Sequence, residues 1–473
     1  MYFPMPAALL GSLAVLIGRA RAFGGSAFLG ADRTLESQER LRAILTSNMT
    51  FDAFVKAYGR TYKKGSEEYA MREDLYRVQA EEVRRHNSNP HRNWEAAITH
   101  LADRTKEELA KLRGYRRGAG AAVEGDAGEA SFLSTDRRVV DVSKAPKAWS
   151  WVGRLKAMSN VRDQGECGSC WAFATATMLR AHSELYLQQD RSFSVQQLLS
   201  CTPNPNHCGG EGGCHGATAE LAISYASRMA IMKEEAMDYQ AKMVDCPSGS
   251  QLKKPGFLQS LRERMHLGGG GGGSVQPAET TGFGMTSWRK LPENMYAPLL
   301  MAVFQEGPVS VSLSAGDQWN KYQSGVMDAC EKGAVVNHAA VLVGYGEEKI
   351  RNVKYWQIQN SWGPNWGERG HIRLFRHEGE QEDQYCGWDH QPEEGTGCKG
   401  GPPKVWVCGS CGILYDSVVP TFAASPLALA AKQSMQQSDE GEADEDSFMD
   451  RADSMLQISA ESTAHARNRR HRA

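Results

Sequence analysis

The segment Gln164-Gly165-Glu166-Cys167-Gly168-Ser169-Cys170-Trp171-Ala172-Phe173 constrains this chain more than any other, because it sets where a helix begins and what stands at its mouth. From Trp171 through Leu187 there is neither proline nor glycine, and apolar side chains recur at helical spacing, so a helix is expected with Cys170 in its first turn. Gly168 and Ser169 let the backbone turn tightly before it. At that position the helix dipole and the unpaired backbone amides favour a thiolate. Gln164, upstream, offers an amide donor to an oxyanion developing beside Cys170. Such a cysteine is a candidate nucleophile for acyl transfer.

A thiolate needs a base and a group to orient that base, and both stand downstream. His338 opens the apolar stretch of Val336-Asn337-His338-Ala339-Ala340-Val341-Leu342-Val343-Gly344-Tyr345-Gly346, which reads as a buried strand. Asn360 lies in Tyr355-Trp356-Gln357-Ile358-Gln359-Asn360-Ser361-Trp362-Gly363. Its amide, accepting from the imidazole, would fix the tautomer, and the Trp362 indole would shield that bond from water. Taken singly, each residue has an ordinary reading. Cys170 pairs with Cys167 as a Cys-x-x-Cys redox couple, His338 is a satisfied core histidine, Asn360 a turn residue and Gln164 a surface amide. Taken together with the Cys-Gly-Ser-Cys-Trp run, they resemble the papain family of cysteine proteases over roughly residues 145–420. His338 and Asn360 lie further from Cys170 than the roughly 130 to 150 residues usual in that family, so an insertion is expected between them.

The resemblance implies an α+β, two-lobed papain-like fold: a helical lobe around the Cys170 helix and a β-barrel lobe carrying His338 and Asn360, preceded by a helical prodomain. It implies a Cys170–His338 thiolate–imidazolium pair, an oxyanion held by Gln164 and the Cys170 amide, a thioacyl intermediate, and neither cofactor nor metal. It also implies the bridges Cys167–Cys214, Cys201–Cys246 and Cys330–Cys411. The pairing of Cys208, Cys386, Cys398 and Cys408 stays open, with Cys208 as a second choice for Cys214. A zinc reading of His207-Cys208 with Cys214-His215, or of Cys408-Gly409-Ser410-Cys411, competes with disulfides. In the family, the residue five places after the cysteine of Cys411-Gly412-Ile413 closes the pocket for the second side chain before the scissile bond. That position is Asp416, with Ser312, Ala339 and Ala219 as walls and Trp362 beside the cleft. An acidic floor would attract lysine or arginine as well as admit apolar groups; the alternative is an Asp416 facing solvent.

At 473 residues and 41% hydrophobic content, the chain exceeds one ordinary domain and can bury a substantial core. A formal net charge of −2 gives no reason to expect nucleic acid as a partner. Eleven cysteines suit an oxidising compartment, and the odd number leaves one thiol over, assigned to Cys170. The apolar run Ala7 to Gly18 with Ala20-Arg21-Ala22 reads as a signal peptide over residues 1–22, although no basic leader precedes it. The run is too short for a bilayer, and the mature form is expected to have no membrane span. The expected location is the secretory pathway, a lysosome-like vacuole or the extracellular space.

Residues 23–140 read as a prosegment. Glu68, Arg72, Tyr76, Gln79, Val83 and Asn87 follow one helix face and resemble the long prosegment helix of cathepsin L-type zymogens, with Tyr76, Gln79 and Val83 departing from the pattern. His100 to Leu109 resembles the strand and short helix of the same prosegment, which enter the active-site cleft. The inhibitory helical part is placed at about 50–115 and an activation linker at 116–140, with Arg137-Arg138 near its end. Acid is expected to release the prosegment by protonating carboxylates such as Asp103. The peptidase domain is placed at 141–420, with an insertion at about 247–290 whose Gly268–Gly273 run reads as a disordered loop. Residues 421–473 form a tail that turns from acidic to basic and buries little. Asn48-Met49-Thr50 is a glycosylation sequon.

The expected partners are protein and peptide substrates and the chain's own prosegment, with a monomeric enzyme. No occluding loop with paired histidines, minichain-like segment or exclusion domain is recognisable, which favours an endopeptidase. Two readings from other classes compete: a catalytically silent papain-like binding protein, and a disulfide oxidoreductase using Cys167 with Cys170.

Overall fold

The structure is a computed structural model and describes residues 49–114, 140–247, 283–348, 351–423 and 434. The expected signal peptide, Asn48 of the sequon, nearly all of the activation linker, the Gly268–Gly273 run and all but a few residues of the tail lie outside those residues. The chain divides into two units, residues 1–69 and 70–473. In the first, helix α1 (Phe51–Ala57) starts at Thr50, whose hydroxyl accepts from the Ala53 amide at 3.3 Å. Its Phe51 packs edge-on against Tyr69, with centroids 4.9 Å apart.

In the second unit, α4 (Cys170–Leu187) is the axis of the helical part. Its side chains are buried from Cys170 through Leu179, so this is a core helix rather than an amphipathic one. It ends where Gln188 takes a left-handed conformation, φ 56°. Around it pack α5 (Val195–Cys201), capped by Ser194, and α6 (Ala219–Arg228), capped by Thr218.

The main sheet runs in the order β1 (Trp94–Ala96), β5 (Tyr322–Met327), β8 (His371–Phe375), β7 (Val353–Gln359), β6 (His338–Glu348), β4 (Val309–Leu313), β11 (Asp416–Phe422) and β3 (Met285–Lys290). The two-residue β2 (Trp149–Ser150) pairs separately with β6, and β9 (Cys386–Asp389) with β10 (Val405–Cys408) forms a second, two-stranded sheet. The central strand β6 is buried over its first nine residues, as its unbroken apolar sequence requires, and packs on α4. The expected barrel does not close. Among the described residues, the two end strands β1 and β3 pair only with β5 and β11, so the sheet stays open between them.

Two boundaries also differ from expectation. The last residues of the expected insertion form β3, held in register on β11 with Lys290 opposite Val418. The prosegment strand lies at Trp94–Ala96, ahead of the His100 to Leu109 segment, because Asn87 at the end of α2 (Glu67–Asn87) clamps both backbone groups of Ala96, at 2.8 and 2.9 Å.

The expected prosegment therefore supplies an edge strand of the main sheet: Trp94 lies opposite Gly325, and the Ala97 amide donates to the Lys321 carbonyl at 2.8 Å. Beyond it, α3 (Lys106–Leu112) begins with a capping box between Thr105 and Glu108. Glu108 also takes a forked ion pair from Arg72 of α2, whose guanidinium donates to the Asp103 carbonyl at 2.9 Å. Both side chains are largely buried. Breaking such a pair leaves a buried charge uncompensated, at about 3 kcal/mol. Glu108→Gln in a Cys170→Ala background should therefore make added trypsin cut within residues 70–114 about a hundredfold faster. An unchanged cutting rate would show that the pair contributes nothing to holding the prosegment folded.

Candidate active site

Cys170 opens α4, fully buried, and is the free cysteine of the chain. The other cysteines pair as Cys167–Cys214, Cys201–Cys246, Cys208–Cys398, Cys330–Cys411 and Cys386–Cys408. Cys208 and Cys408 are thus in disulfides, not in a zinc site. Cys167 is bonded to Cys214 and is unavailable as a redox partner for Cys170.

His338 begins β6, fully buried, and its Nε2 lies 2.8 Å from Asn360 Oδ1. The tautomer follows from a neighbouring bond. Asn360 Oδ1 also accepts from the Ser361 amide at 2.8 Å, so it is the oxygen that faces the ring and Nε2 must carry the proton. Nδ1 makes no hydrogen bond and is left as the acceptor. Trp362 lies 5.3 Å from the imidazole, centroid to centroid, and Trp319 6.0 Å, so indoles wall the ring on two sides.

Gln164 is tied to the same short segment. Its backbone amide donates to the Ser361 carbonyl at 2.8 Å, and the Ser361 hydroxyl donates to Gln164 Oε1 at 2.6 Å. The Gln164 amide nitrogen is thereby turned toward the cleft. Tyr239 braces it from behind, donating to the Gln164 carbonyl at 2.7 Å and bonding Ser169 at 2.6 Å.

What fills the cleft is the prosegment. After α3 the chain passes over the site, with the Leu112 carbonyl accepting from Gln164 Nε2 at 2.9 Å and the Gly114 amide donating to Cys170 Sγ at 3.1 Å. The Ala339 amide, beside His338, also points at Sγ, at 3.4 Å. Gly114 fits because it has no side chain: a Cβ there would stand 2.4 Å from Cys170 Sγ, and one on Gly216 would stand 2.1 Å from the Gly114 carbonyl oxygen. Between these contacts, Arg113 reaches Asp317 at 3.5 Å.

This occlusion changes the electrostatics expected of the site. Burial pushes the Cys170 thiol up to about 11, against the pull of four backbone amides. Burial also pushes His338 down to about 4; the Asn360 bond opposes this and the Arg113 charge adds to it. With the prosegment in place burial favours the thiol and the neutral imidazole, because water is excluded from both groups.

The residues expected to line a substrate pocket form one row. Asp416, Ser312 and Ala339 sit opposite one another across β11, β4 and β6, hence on the same face of the sheet. Ala219 opens α6, which packs against β4 and β11. Asp416 is buried and accepts from the Ser312 hydroxyl at 2.6 Å, so it does not face solvent. Sequence reasoning missed Ser361, Trp319, Tyr239, Arg113 and Gly114. Ser361 adjoins Asn360 and was within reach; the others are brought in by folding alone.

Asp103, expected to respond to acid, is buried with Arg104 Nε 4.0 Å from its carboxylate. His338 is a further group whose protonation opposes docking. In the docked form burial holds its pKa down to about 4, below the ordinary imidazole range, so the docked form is favoured while the ring is neutral and loses that advantage as pH falls through the ordinary range toward about 4. Arg72 holds Glu108 down at about 2, so that contact survives until pH falls from the carboxylate range toward 2. Stopped-flow exposure of Cys170 to a thiol reagent after a pH jump should rise across pH 6.5 to 4. An onset confined to pH below 3 would assign the switch to Glu108 instead.

A model described as papain family cysteine protease matches residues 145–396, and one described as cathepsin propeptide inhibitor domain matches residues 51–109. Chymopapain of Carica papaya is 27% identical over 354 residues, covering 74% of this chain and 87% of that protein. Vignain of Ricinus communis is 29% identical over 301 residues, covering 62% and 71%. In fold, the chain resembles digestive procathepsin L 3 of Tenebrio molitor larval midgut, with a TM-score of 0.55 at 23% identity over 80% of this chain and 99% of that one. It likewise resembles recombinant stem bromelain precursor, with a TM-score of 0.55 at 23% identity over 79% and 98%.

Proposed function

The chain belongs to the papain family of cysteine proteases, with a cathepsin-type propeptide inhibitor domain ahead of the peptidase, and from that membership we propose how this endopeptidase works and is silenced. Cys170 Sγ is the nucleophile, His338 Nδ1 the base, Asn360 the residue that orients it, and Gln164 Nε2 with the Cys170 amide the oxyanion donors. The observation that carries this reading is the Leu112 carbonyl seated on Gln164 Nε2 next to Cys170 Sγ, where a substrate carbonyl would sit.

Once the prosegment leaves, water enters and the thiol passes its proton to Nδ1. The thiolate adds to the peptide carbonyl, and the carbonyl oxygen takes the charge against Gln164 and the backbone amide. The C–N bond breaks as His338 returns its proton to the leaving amine, leaving a thioester. His338 then takes a proton from water, whose oxygen attacks the thioester, and the acid product departs with Cys170 restored. The Asp416, Ser312, Ala339 and Ala219 row, with Trp362 beside the cleft, lines the pocket for the second side chain before the scissile bond.

The domain division follows from the same reading: a signal peptide over 1–22, a prosegment over 23–140, the peptidase over 141–420 and a tail beyond. Since every cysteine other than Cys170 is in a disulfide, an oxidising secretory or lysosome-like compartment suits the protein. Its substrates are proteins and peptides, and the peptidase acts as a monomer.

In the processed enzyme, Cys170→Ala should abolish labelling by an epoxide inhibitor and lower kcat by at least about a thousandfold, while Gln164→Ala should cost about a hundredfold in kcat. Retained turnover in Cys170→Ala would reject the nucleophile. In the uncut chain, Gly114→Ala should give measurable peptidase activity before any cleavage, because its Cβ cannot coexist with Cys170 Sγ. Silence equal to wild type would show that the prosegment inhibits without this contact.

A further inference from the structure

Asp416 does not stand open to the pocket it floors. Ser312 donates to Oδ2, Oδ1 accepts no hydrogen bond, and Lys290 Nζ lies 3.4 Å from Oδ1. Lys290 is the last residue of β3, and the pairing of β3 with β11 fixes it beside Asp416: Lys290 lies opposite Val418 on the same strand as Asp416. It also pairs with Glu293 at 2.8 Å and rests 5.7 Å from the centre of the Tyr415 ring, with about a third of its side chain exposed. Glu220, next to the wall residue Ala219, completes the charged set. Burial and the Asp416 charge push its pKa up, and Lys290 pulls it back.

We propose that Lys290 is a specificity-determining residue: a counter-ion built into the chain, which occupies the Asp416 carboxylate and turns the pocket toward apolar side chains and away from lysine and arginine. The proposal rests on the pocket reading given above. A substrate guanidinium reaching Asp416 must compete with a tethered cation that has lost little freedom by being there, and it enters a site already holding a positive charge. An apolar side chain meets neither obstacle, since Asp416 is already neutralised and hydrogen-bonded. Without Lys290, the negative charge of Asp416 and of Glu220 and Glu293 near it would have no internal cation, and a basic side chain would supply it.

Phe-Arg and Arg-Arg dipeptide reporters, differing only at the second position before the scissile bond, are hydrolysed with the processed enzyme and kcat/KM compared. Wild type should favour Phe-Arg. Lys290→Met should raise the Arg-Arg to Phe-Arg ratio about tenfold, whereas Asp416→Ala should lower it and Lys290→Met added to Asp416→Ala should recover only part of the gain. Lys290→Gln, which keeps a polar group at the strand end, provides the same comparison should the methionine variant misfold. A ratio that moves with Asp416→Ala but stays or falls with both Lys290 variants overturns the role of Lys290 and leaves the pocket reading intact. A ratio indifferent to Asp416 and Lys290 alike overturns the pocket reading itself.

Discussion

The joint between Gln164 and Ser361 is the constraint on which the site depends. Cys170 belongs to a helix and His338 to the strand that packs on it, but that packing aims neither the Gln164 amide nor the imidazole. Ser361 supplies the link, accepting the Gln164 amide at 2.8 Å, donating to Gln164 Oε1 at 2.6 Å and giving its own amide to Asn360 Oδ1 at 2.8 Å. One residue therefore aims the Gln164 amide nitrogen and selects the imidazole tautomer. Both functions rest on acceptor-only oxygens held by fixed donors, which leaves no freedom for an amide flip.

The prosegment exploits that joint rather than disturbing it. Leu112 takes the donor that Ser361 has aimed, and Gly114 takes the sulfur, so on the proposed mechanism inhibition uses the polar geometry that a substrate would use. Burial then removes the charges that chemistry needs, raising the thiol and lowering the imidazole. Arg113 reinforces the second effect from close by, and its partner Asp317 is too exposed to bind strongly by itself. The tight part of the docking lies further out, in the β1–β5 pairing, while the buried Arg72–Glu108 fork holds the prosegment's own helices α2 and α3 together. Affinity and silencing are thus carried by different residues.

Much of this was legible from residue order alone. The Cys170 helix followed from a run without helix breakers, and the β6 strand from an unbroken apolar stretch, because both patterns state their burial directly. The prosegment helix was legible from its face of spaced residues, of which Arg72, Tyr76 and Val83 are buried. The pairing of the four extra cysteines was not, since Cys208 and Cys398 are 190 residues apart and only the fold brings them together. Lys290 was hidden for another reason. It follows a glycine-rich stretch that reads as an insertion, and its meaning appears only when β3 is seen paired on β11 beside Asp416. The closed barrel was a resemblance carried too far, because closure depends on which edges pair and strand pattern is silent about edges.

Cys167 and Cys170 show how neighbours of one type acquire opposite chemistry. Cys167 is bonded to Cys214, and the Gly168 amide donates to the Cys214 carbonyl at 3.0 Å, so the 214 loop is fastened against the mouth of the helix. A Cβ on Gly168 would stand 2.7 Å from that carbonyl, so the fastening needs glycine there as well. The same loop carries Gly216, against which the Gly114 carbonyl rests. The disulfide therefore does two things at once. It consumes the only thiol near enough in sequence to oxidise Cys170, and it builds the wall along which the prosegment passes. A disulfide oxidoreductase would need Cys167 and Cys170 to exchange electrons with each other; here one is spent on holding the channel whose far side is the other.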